Sequence, residues 1–404
     1  MTIELRPITP TELEAFRRAD QAGFGYRADL EAVHPHWAGL ELERARAAYE
    51  GDEIVGCGRL YSFELTLPGG ALMPAGGVSW ISVLPTHRRQ GILRSMMAEL
   101  LDDSVAQGEA VSLLTASEGG IYRRFGYGVA TRALGIELAR REVEFASPRP
   151  PGRLRMVEPD EAGKLFPGIF DPTRRSRPGA VSRPSAWWID EHVDPRHGPR
   201  FDVVFEGDDG PHGFATYHIR GDWSEGVARK TLGVRDLVAA TWQAEAALWH
   251  YLCGVDLIER IQWWNSPLDT ALPWMLTDPR AVRPTSLRDF LWARLLDVPV
   301  ALAGRRYRAE GRLVLEVADR FRPHGAAAGR FALDTGPGDA ACSRTDAAAD
   351  LALDVADLGA IYLGDVRPST LARAGRIIEQ APGALARADA MFAAERVPFA
   401  MTWF

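Results

Sequence analysis

The sequence contains little lysine, little cysteine and no long apolar run. Lysine occurs only at positions 164 and 230, so almost all of the positive charge is arginine. The cysteines, Cys57, Cys253 and Cys342, are far apart and follow no ligand spacing, which excludes a disulfide framework and a recognisable zinc site. No stretch of about 18 apolar residues occurs, and the N-terminus has no apolar leader. These absences predict a cytoplasmic protein with no membrane span and no metal.

The balance of charge excludes a second class of partner. Lysine and arginine total 47 and aspartate and glutamate total 54, which gives a net charge of -7. Proteins that bind nucleic acid are usually basic, so we expect no nucleic-acid partner. The 404 residues are too many for one ordinary domain and suit two or three.

The segment Val78–Tyr127 has the clearest pattern. It begins with an apolar, β-branched run that predicts a strand, and an arginine-rich turn follows, ending at Gly91. Apolar residues then recur at helical spacing over residues 92–101, and the apolar run at residues 111–115 predicts a second strand. A short helix containing Tyr122 comes next. Backbone N–H groups at the start of a helix attract anions, so this order of elements predicts an anion-binding site.

The arginine-rich turn at residues 88–91 has two interpretations. Arginine balances phosphate charge, and glycine lets a ligand approach the backbone. The same residues also form an ordinary surface turn before a helix in many proteins, because short motifs are weak signals.

The remaining sequence predicts strands and helices in mixed order, which indicates an α/β (α+β) fold. Strands are predicted at residues 3–7, 53–60, 61–67, 130–138, 201–205, 214–219, 231–237, 259–264, 313–317 and 329–334. Helices are predicted at residues 12–22, 41–49, 244–252, 290–296, 356–362, 371–380 and 384–392. The first helix would be capped by Thr11 with Glu14 as a capping box.

The order of these elements divides the chain into three regions. A proline-rich linker at residues 148–151 separates a first domain, residues 1–148, from a second, residues 149–285. The second repeats the strand–helix–strand order of the first without its Arg-x-x-Gly turn, so we expect it to keep the fold and lose the anion site. Residues 286–404 form the third region. Its apolar end, at residues 401–404, should be buried, because free ends normally fray in water.

Two motifs of the first domain resemble those of the Eis (enhanced intracellular survival) family, a branch of the GNAT acyltransferase superfamily. They are V-L-P-T-H-R-R-Q-G-I-L-R and A-S-E-G-G-I-Y-R-R-F-G-Y-G. The GNAT turn Arg/Gln-x-x-Gly-x-Gly/Ala binds the pyrophosphate of acetyl-CoA, and Leu93 replaces the last small residue here, as in the Eis branch. The resemblance implies acetyl-CoA as co-substrate. It also implies two tandem GNAT-like domains, the second degenerate, before a sterol-carrier-like domain whose terminus completes the active site.

The same resemblance implies roles for individual residues. The pantetheine arm would pair with the strand residues Ile81, Ser82 and Val83. The pyrophosphate would lie on the turn residues Arg89, Gln90, Gly91, Ile92, Leu93 and Arg94. Further cofactor contacts would come from Ser117 and Glu118.

Tyr122 matches the general acid that protonates the departing CoA thiolate. A thiol titrates near 8.5 and a phenol near 10, so a neutral phenol can deliver the proton. Tyr127 is the competing donor, but it follows Phe125-Gly126, where the fold needs a packing aromatic.

The base is less evident from the residues alone. His87 and Glu118 are candidates near the turn, whereas the family uses a terminal carboxylate, which here is that of Phe404. A buried apolar tail would carry this carboxylate into the site, where desolvation favours its protonated form. The alternative is that Trp403 and Phe404 only pack the tail.

The resemblance further implies an amine acceptor. Phe24, Trp37 and Trp80 are candidates for its pocket, although each is individually an ordinary core aromatic. Family members acetylate aminoglycosides, often at several amines, and some acetylate lysine side chains. A polycation needs acidic walls, and residues 400–403 carry no carboxylate side chain beside Phe404. The family also implies a homohexamer built as a trimer of dimers. The alternative function is a non-catalytic CoA- or lipid-binding protein that uses the sterol-carrier-like domain.

Overall fold

A computed structural model describes residues 3–27, 39–188, 198–224 and 227–404 of the chain. The chain divides into two compact units. The first unit comprises Met1–Thr131, Pro178–Ser182 and Asp289–Phe404, and the second comprises Arg132–Arg177 and Arg183–Arg288. These units follow the membership of the sheets, whereas the boundaries at residues 148 and 285 remain a proposal from the sequence.

The described residues form strands and helices in mixed order. The strands are β1 Ile3–Pro7, β2 Ala45–Glu50, β3 Glu53–Thr66, β4 Leu72–Val83, β5 Val111–Thr115, β6 Gly128–Val129, β7 Arg132–Ala139, β8 Arg153–Val157, β9 Arg200–Gly207, β10 Gly210–Ser224, β11 Val227–Ala239, β12 Ile258–Ser266, β13 Arg283–Asp289, β14 Leu291–Leu295, β15 Gly311–Ala318, β16 Gly329–Gly336, β17 Asp339–Arg344, β18 Leu351–Asp354 and β19 Ile377–Glu379. The α-helices are α1 Leu13–Gly23, α2 Ile92–Ala106, α3 Pro159–Arg174, α4 Trp242–Gly254, α5 Leu272–Met275, α6 Val298–Gly304, α7 Val355–Tyr362, α8 Pro368–Arg373 and α9 Ala384–Phe392. Within this part of the chain, no helix has the length and apolar character needed to cross a membrane.

The first unit contains a seven-stranded sheet in the order β1-β2-β3-β4-β5-β14-β6. The predicted helix after the arginine-rich turn is confirmed as α2. Its buried residues recur every three or four positions: Ile92, Met96, Met97, Leu100, Leu101 and Ser104. This spacing forms one face that packs against β3 and β4, and it fixes the start of α2 beside the end of β4.

The predicted helix over residues 41–49 is wrong. A 3-10 turn, Leu42–Arg44, leads directly into β2. Ala48 on β2 pairs with Leu5 on one side and with Gly56 on the other. Alanine and glutamate give this segment helical propensity, but pairing on both edges outweighs propensity.

Two other local predictions near the N-terminus are wrong. The capping box is formed by Thr9 and Glu12 around a 3-10 turn, and not by Thr11 and Glu14. Residues 53–60 and 61–67, predicted as two strands, lie along the single long strand β3, which ends at Thr66, because the chain reverses only after residue 67.

The predicted helix over residues 290–296 is also wrong. Residues 291–295 form β14, which lies between β5 and β6 with Leu291 opposite Thr115 and Leu295 opposite Val111. Every residue of β14 is buried. A short apolar run buried on both faces carries no periodicity that distinguishes a strand from a helix.

The residues after β14 form a five-stranded sheet in the order β17-β16-β15-β18-β19. The predicted pairing of β15 with β16 is confirmed, as are helices α7 and α9. The predicted helix over residues 371–380 is wrong, because α8 ends at Arg373 and β19 follows. Gly375 has a φ of 69°, which only glycine adopts without strain, and it turns the chain from α8 into β19.

The second unit contains another seven-stranded sheet, in the order β13-β7-β12-β11-β10-β9-β8. The predicted order of β11, α4 and β12 is confirmed, and β11 and β12 are parallel. Trp249 on α4 packs against Trp263 on β12 with ring centroids 5.8 Å apart. The strand predicted at residues 130–138 is β7, which pairs with β12 in this second sheet.

Candidate active site

A cleft of about 580 Å³ lies at the carboxyl end of β4. The parallel pairing of β4 with β5 runs from Ala75 opposite Val111 to Val78 opposite Leu114. Beyond Val78, β4 continues to Val83 without that neighbour, so a gap opens between the two strand ends. The end of α1, the turn into α2 and the 3-10 helix Tyr122–Phe125 enclose this gap.

The turn into α2 presents backbone N–H groups to the cleft. Gly91 caps the helix with a φ of 86° and has no side chain to accept their hydrogen bonds. The first N–H groups of a helix also lack partners within the helix. Ile92, Leu93 and Arg94, which carry them, all line the cleft. Together with the helix dipole, these donors favour a bound anion.

Arginines add positive charge around the same turn. Arg88 holds the turn in place by donating to the carbonyl oxygens of Gly23, at 3.0 Å, and Val83, at 3.3 Å. Arg89 and Arg94 are exposed at the rim of the cleft. Arg89 has a φ of 64°, which is uncommon for a residue other than glycine and is typical of functional turns.

The two candidate proton donors differ in position. Tyr122 lines the cleft, and burial raises the pKa of its phenol, as does the charge of Glu118. Tyr127 is fully buried, and its hydroxyl forms a 2.7 Å hydrogen bond with Ser112 Oγ. Burial strongly raises the pKa of Tyr127 as well. Of these two phenols, only that of Tyr122 therefore lies on the wall of the cleft.

The terminal residue lies at the edge of the sheet that carries this wall. Thr115 Oγ1, at the end of β5, donates a 2.7 Å hydrogen bond to an oxygen of Phe404. The Phe404 ring is buried and packs on Phe63, with ring centroids 4.7 Å apart. Thr115 precedes Ser117 by two residues, and Ser117 lines the cleft. The predicted burial of the apolar tail is thus confirmed for Phe404 but is wrong for Trp403, which is 52% exposed.

Two of the predicted acceptor-pocket aromatics contact each other. Phe24 lines the cleft and is 41% exposed. Trp80 lies on β4 one residue before Ile81, and its ring meets that of Phe24 edge to face at 6.4 Å. The Arg59 guanidinium lies 4.5 Å from the centre of the Trp80 ring. Trp37, the third candidate, lies outside the described residues.

A buried carboxyl group lies directly behind the cleft wall. Ser82, which lines the cleft, forms a 3.2 Å hydrogen bond with Asp20 Oδ1 on α1. Asp20 is fully buried, and burial raises its pKa to about 7, although the charge of Arg59 and the bond to Ser82 act in the opposite direction.

Family models match three parts of the chain. An acetyltransferase (GNAT) domain matches residues 4–130, another acetyltransferase (GNAT) domain matches residues 179–295, and a sterol carrier protein domain matches residues 298–401.

Relatives match the chain over most of its length. The N-acetyltransferase Eis of Mycobacterium tuberculosis is 39% identical over 353 residues, which cover 85% of this chain and 84% of that protein. An uncharacterized N-acetyltransferase of Streptomyces griseus is 38% identical and covers 99% of both chains. The crystal structure of Eis1 from Mycobacterium abscessus superposes with a TM-score of 0.87 at 34% identity, covering 99% of this chain and 100% of that chain.

The chain belongs to the Eis family of GNAT N-acetyltransferases. The predicted fold class, two GNAT domains followed by a sterol-carrier-like domain, is confirmed. In this Eis-family chain the second GNAT domain differs from the first where its helix begins. Thr241 caps α4 by accepting a hydrogen bond from the Ala244 N–H, whereas Gly91 leaves the start of α2 open. A side chain therefore takes up a donor that an anion would need.

Most of the residues predicted to bind the cofactor line the Eis-family cleft. They are Ile81, Ser82, Val83, Arg89, Gly91, Ile92, Leu93, Arg94 and Ser117. Gln90 and Glu118 are exposed and lie outside its lining.

The cleft of the Eis-family site also contains residues that the sequence did not single out for it. Gly23 lies so close to β4 that an added Cβ would be 2.6 Å from the Ser82 Cβ. Nothing in the sequence near Gly23 indicates this contact. Arg124 and Phe125 belong to the same motif as Tyr122, so that motif was the available signal. His87, which the sequence did offer as a candidate base, lines the cleft as well, but its ring bonds to Glu50 and Thr86. Among the residues described, no group of three His, Cys, Asp or Glu side chains is arranged to hold a metal ion.

Proposed function

We propose that this enzyme transfers the acetyl group of acetyl-CoA to an amine by direct attack of the amine on the thioester. The main support is that the candidate acid and the candidate base approach the same edge of the sheet. Tyr122 lines the cleft at this edge, and Thr115, two residues before the cleft residue Ser117, holds Phe404.

The cleft has the features that acetyl-CoA requires. The pyrophosphate would lie on the open start of α2, with Arg89 and Arg94 balancing its charge. The pantetheine arm would run along Ile81–Val83, where β4 has lost its neighbour and its backbone groups can pair with amides. This direction leads the thioester from the start of α2 toward Tyr122.

The proposed chemistry balances with these two groups. The amine nitrogen attacks the carbonyl carbon and the C–S bond breaks. The sulfur takes the phenolic proton of Tyr122, and the surplus proton of the amine goes to the Phe404 carboxylate. Burial raises the pKa of the Tyr122 phenol, so the phenol is protonated at neutral pH. The donor therefore stays uncharged until it gives its proton to the sulfur.

We propose a primary amine as the acceptor, with an aminoglycoside or a lysine side chain as candidates. Phe24 and Trp80 offer aromatic surface beside the cleft. The Arg59 guanidinium already lies over the Trp80 ring. Charge repulsion therefore disfavours a cationic acceptor at that position over the ring. A panel of aminoglycosides, polyamines, arylamines and lysine peptides, assayed for CoA release, tests the acceptor class.

The proton donor is tested by Tyr122→Phe. We expect kcat to fall about a hundredfold, which is typical for the loss of a general acid. Acetyl-CoA affinity measured by calorimetry should change little, because the ring is retained. The matched control is Tyr127→Phe, which removes a buried hydroxyl from the neighbouring ring and should keep kcat within about twofold while costing about 1 kcal/mol of stability. Wild-type kcat in Tyr122→Phe excludes the proposed acid.

A non-catalytic CoA- or lipid-binding protein would bind CoA without releasing it from acetyl-CoA in the presence of any amine of the panel.

We further propose that the chain assembles as a homohexamer, a trimer of dimers, as expected for this family. Light scattering tests this assembly, and a mass of one or two chains contradicts it.

A further inference from the structure

The candidate proton donor lies on a very short element. Tyr122 begins a single 3-10 turn that ends at Phe125, where Gly126 takes a φ of 84°. A single turn of this kind has poor hydrogen-bond geometry and little stability of its own. Contacts from elsewhere must therefore fix the position of the Tyr122 ring.

Arg123 on this turn binds the sterol-carrier-like domain. Its guanidinium donates to both carboxylate oxygens of Asp357, at 3.0 and 2.9 Å. Such two-point pairs fix orientation as well as distance. Arg123 is not part of the cleft lining, whereas Tyr122, Arg124 and Phe125 on the same turn are. The turn thus presents three side chains to the cleft and one to the third domain.

The Asp357 side chain is buried and held in place by its neighbours. It is 1% exposed and lies in the first turn of α7, where the helix dipole stabilises a carboxylate. Arg376, between α8 and β19, also binds it, with Nη2 at 2.5 Å from Oδ1. Among the described residues, Asp357 therefore has two arginine partners, of which only Arg123 belongs to the turn.

Helix α7 is itself packed tightly on the first sheet. A Cβ added at Gly128 on β6 would lie 1.8 Å from the Ala356 carbonyl oxygen, and one at Gly359 on α7 would lie 2.2 Å from the Ala293 carbonyl oxygen. Only glycine permits these approaches. The carboxylate of Asp357 is consequently held at a fixed place relative to the cleft.

A second contact from beyond residue 288 holds the other end of the turn. Arg294 on β14 donates to the Phe125 carbonyl oxygen at 2.6 Å, and it also pairs with the buried Asp319. The Phe125 ring meets Phe321 edge to face at 5.1 Å. These contacts fix the end of the turn, whereas the Arg123–Asp357 pair fixes its start, where Tyr122 lies.

We propose that Arg123 and Asp357 form a positioning pair through which the third domain fixes the Tyr122 phenol against the cleft. This inference rests on the proposed role of Tyr122. Arg123 does not line the cleft, so it acts through Tyr122. The third domain then contributes twice to one site, with the anchor of the acid and with the carboxylate of Phe404.

The proposal is tested with two variants that each remove one arginine from the same carboxylate. In Arg123→Ala we expect kcat to fall about tenfold, because misplacing a reacting group by about 1 Å can cost up to a hundredfold. The KM for acetyl-CoA should stay within about twofold. Arg376→Ala should lower the Tm about as much as Arg123→Ala does, but it should keep kcat within about twofold of the wild type. Arg123→Lys, which keeps the charge and loses the two-point geometry, should restore part of kcat.

A double-mutant cycle separates positioning from a general structural effect. In the Tyr122→Phe background, Arg123→Ala should reduce kcat no further, because the group that Arg123 positions is gone. The proposal is overturned if Arg123→Ala keeps the wild-type kcat, if Arg376→Ala lowers kcat equally, or if the two losses multiply. Failure of the proposed function is recognised separately, by a wild-type kcat in Tyr122→Phe alone.

Discussion

At the scale of single residues, the site depends on buried polar groups that the sequence does not reveal. Asp20 reads as an ordinary polar position of an amphipathic helix, yet it is fully buried behind the cleft wall. Arg123 and Asp357 are 234 positions apart, and no local pattern relates them. By contrast, Tyr122 could be predicted, because its motif is local and specific. Sequence reasoning thus finds the residues within a motif and misses their long-range supports.

The pKa of Asp20 leads to a prediction about stability. Burial raises it to about 7, whereas an aspartate in an unfolded chain titrates near 3.9. Between these values the folded protein binds one more proton than the unfolded chain, so stability falls as pH rises, by up to about 1.4 kcal/mol per pH unit. Asp20→Asn removes this titration. Relative to wild type, its free energy of unfolding in urea should therefore improve from pH 4.5 to pH 7.

The matched control for this measurement is Glu14→Gln on the same helix. The Glu14 side chain is 64% exposed, so its substitution should leave the pH dependence of unfolding unchanged. A constant difference between wild type and Asp20→Asn over this pH range would show that Asp20 is already charged in the folded protein.

At the scale of elements, the periodicity of apolar residues predicted the elements that local interactions determine. The spacing of apolar residues predicted α2, and the arginine-rich turn before it predicted an open helix start. The strands β2 and β14 were predicted as helices. Each is paired with a neighbour on both edges, and neither shows the alternation of apolar and polar residues that identifies a half-buried strand. The placement of β14 between β5 and β6 depends on pairing between strands that are far apart in the sequence, which no single segment encodes.

The two ends of α2 allow a controlled test of the anion site. Gly91 before α2 and Gly108 after it have φ values of 86° and 76°, and both face open space. Alanine at either position costs about 1–2 kcal/mol of backbone strain. Only Gly91→Ala distorts the turn that would hold the pyrophosphate, so we expect the KM for acetyl-CoA to rise about tenfold. Gly108→Ala should lose similar stability with an unchanged KM, and equal KM values in both variants would contradict a role for the turn.

At the scale of the molecule, the first and third domains share one compact unit and, we propose, one active site. β14 lies within the first sheet, and α7 packs on that sheet through Gly128 and Gly359. The bond from Thr115 ties Phe404 to the end of β5. The family resemblance predicted the order of these domains, whereas the contacts that join them could not be predicted from composition or periodicity.

We propose that the carboxylate of Phe404 completes the site of the first domain. One glycine added after Phe404 tests it most directly, because it keeps the ring and converts the carboxylate into an amide. Phe404→Leu is the matched control, since it alters the ring and keeps the carboxylate. We expect the extension to lower kcat for CoA release about a hundredfold, with acetyl-CoA affinity unchanged by calorimetry. Wild-type CoA release by the extended chain would exclude the Phe404 carboxylate as the base.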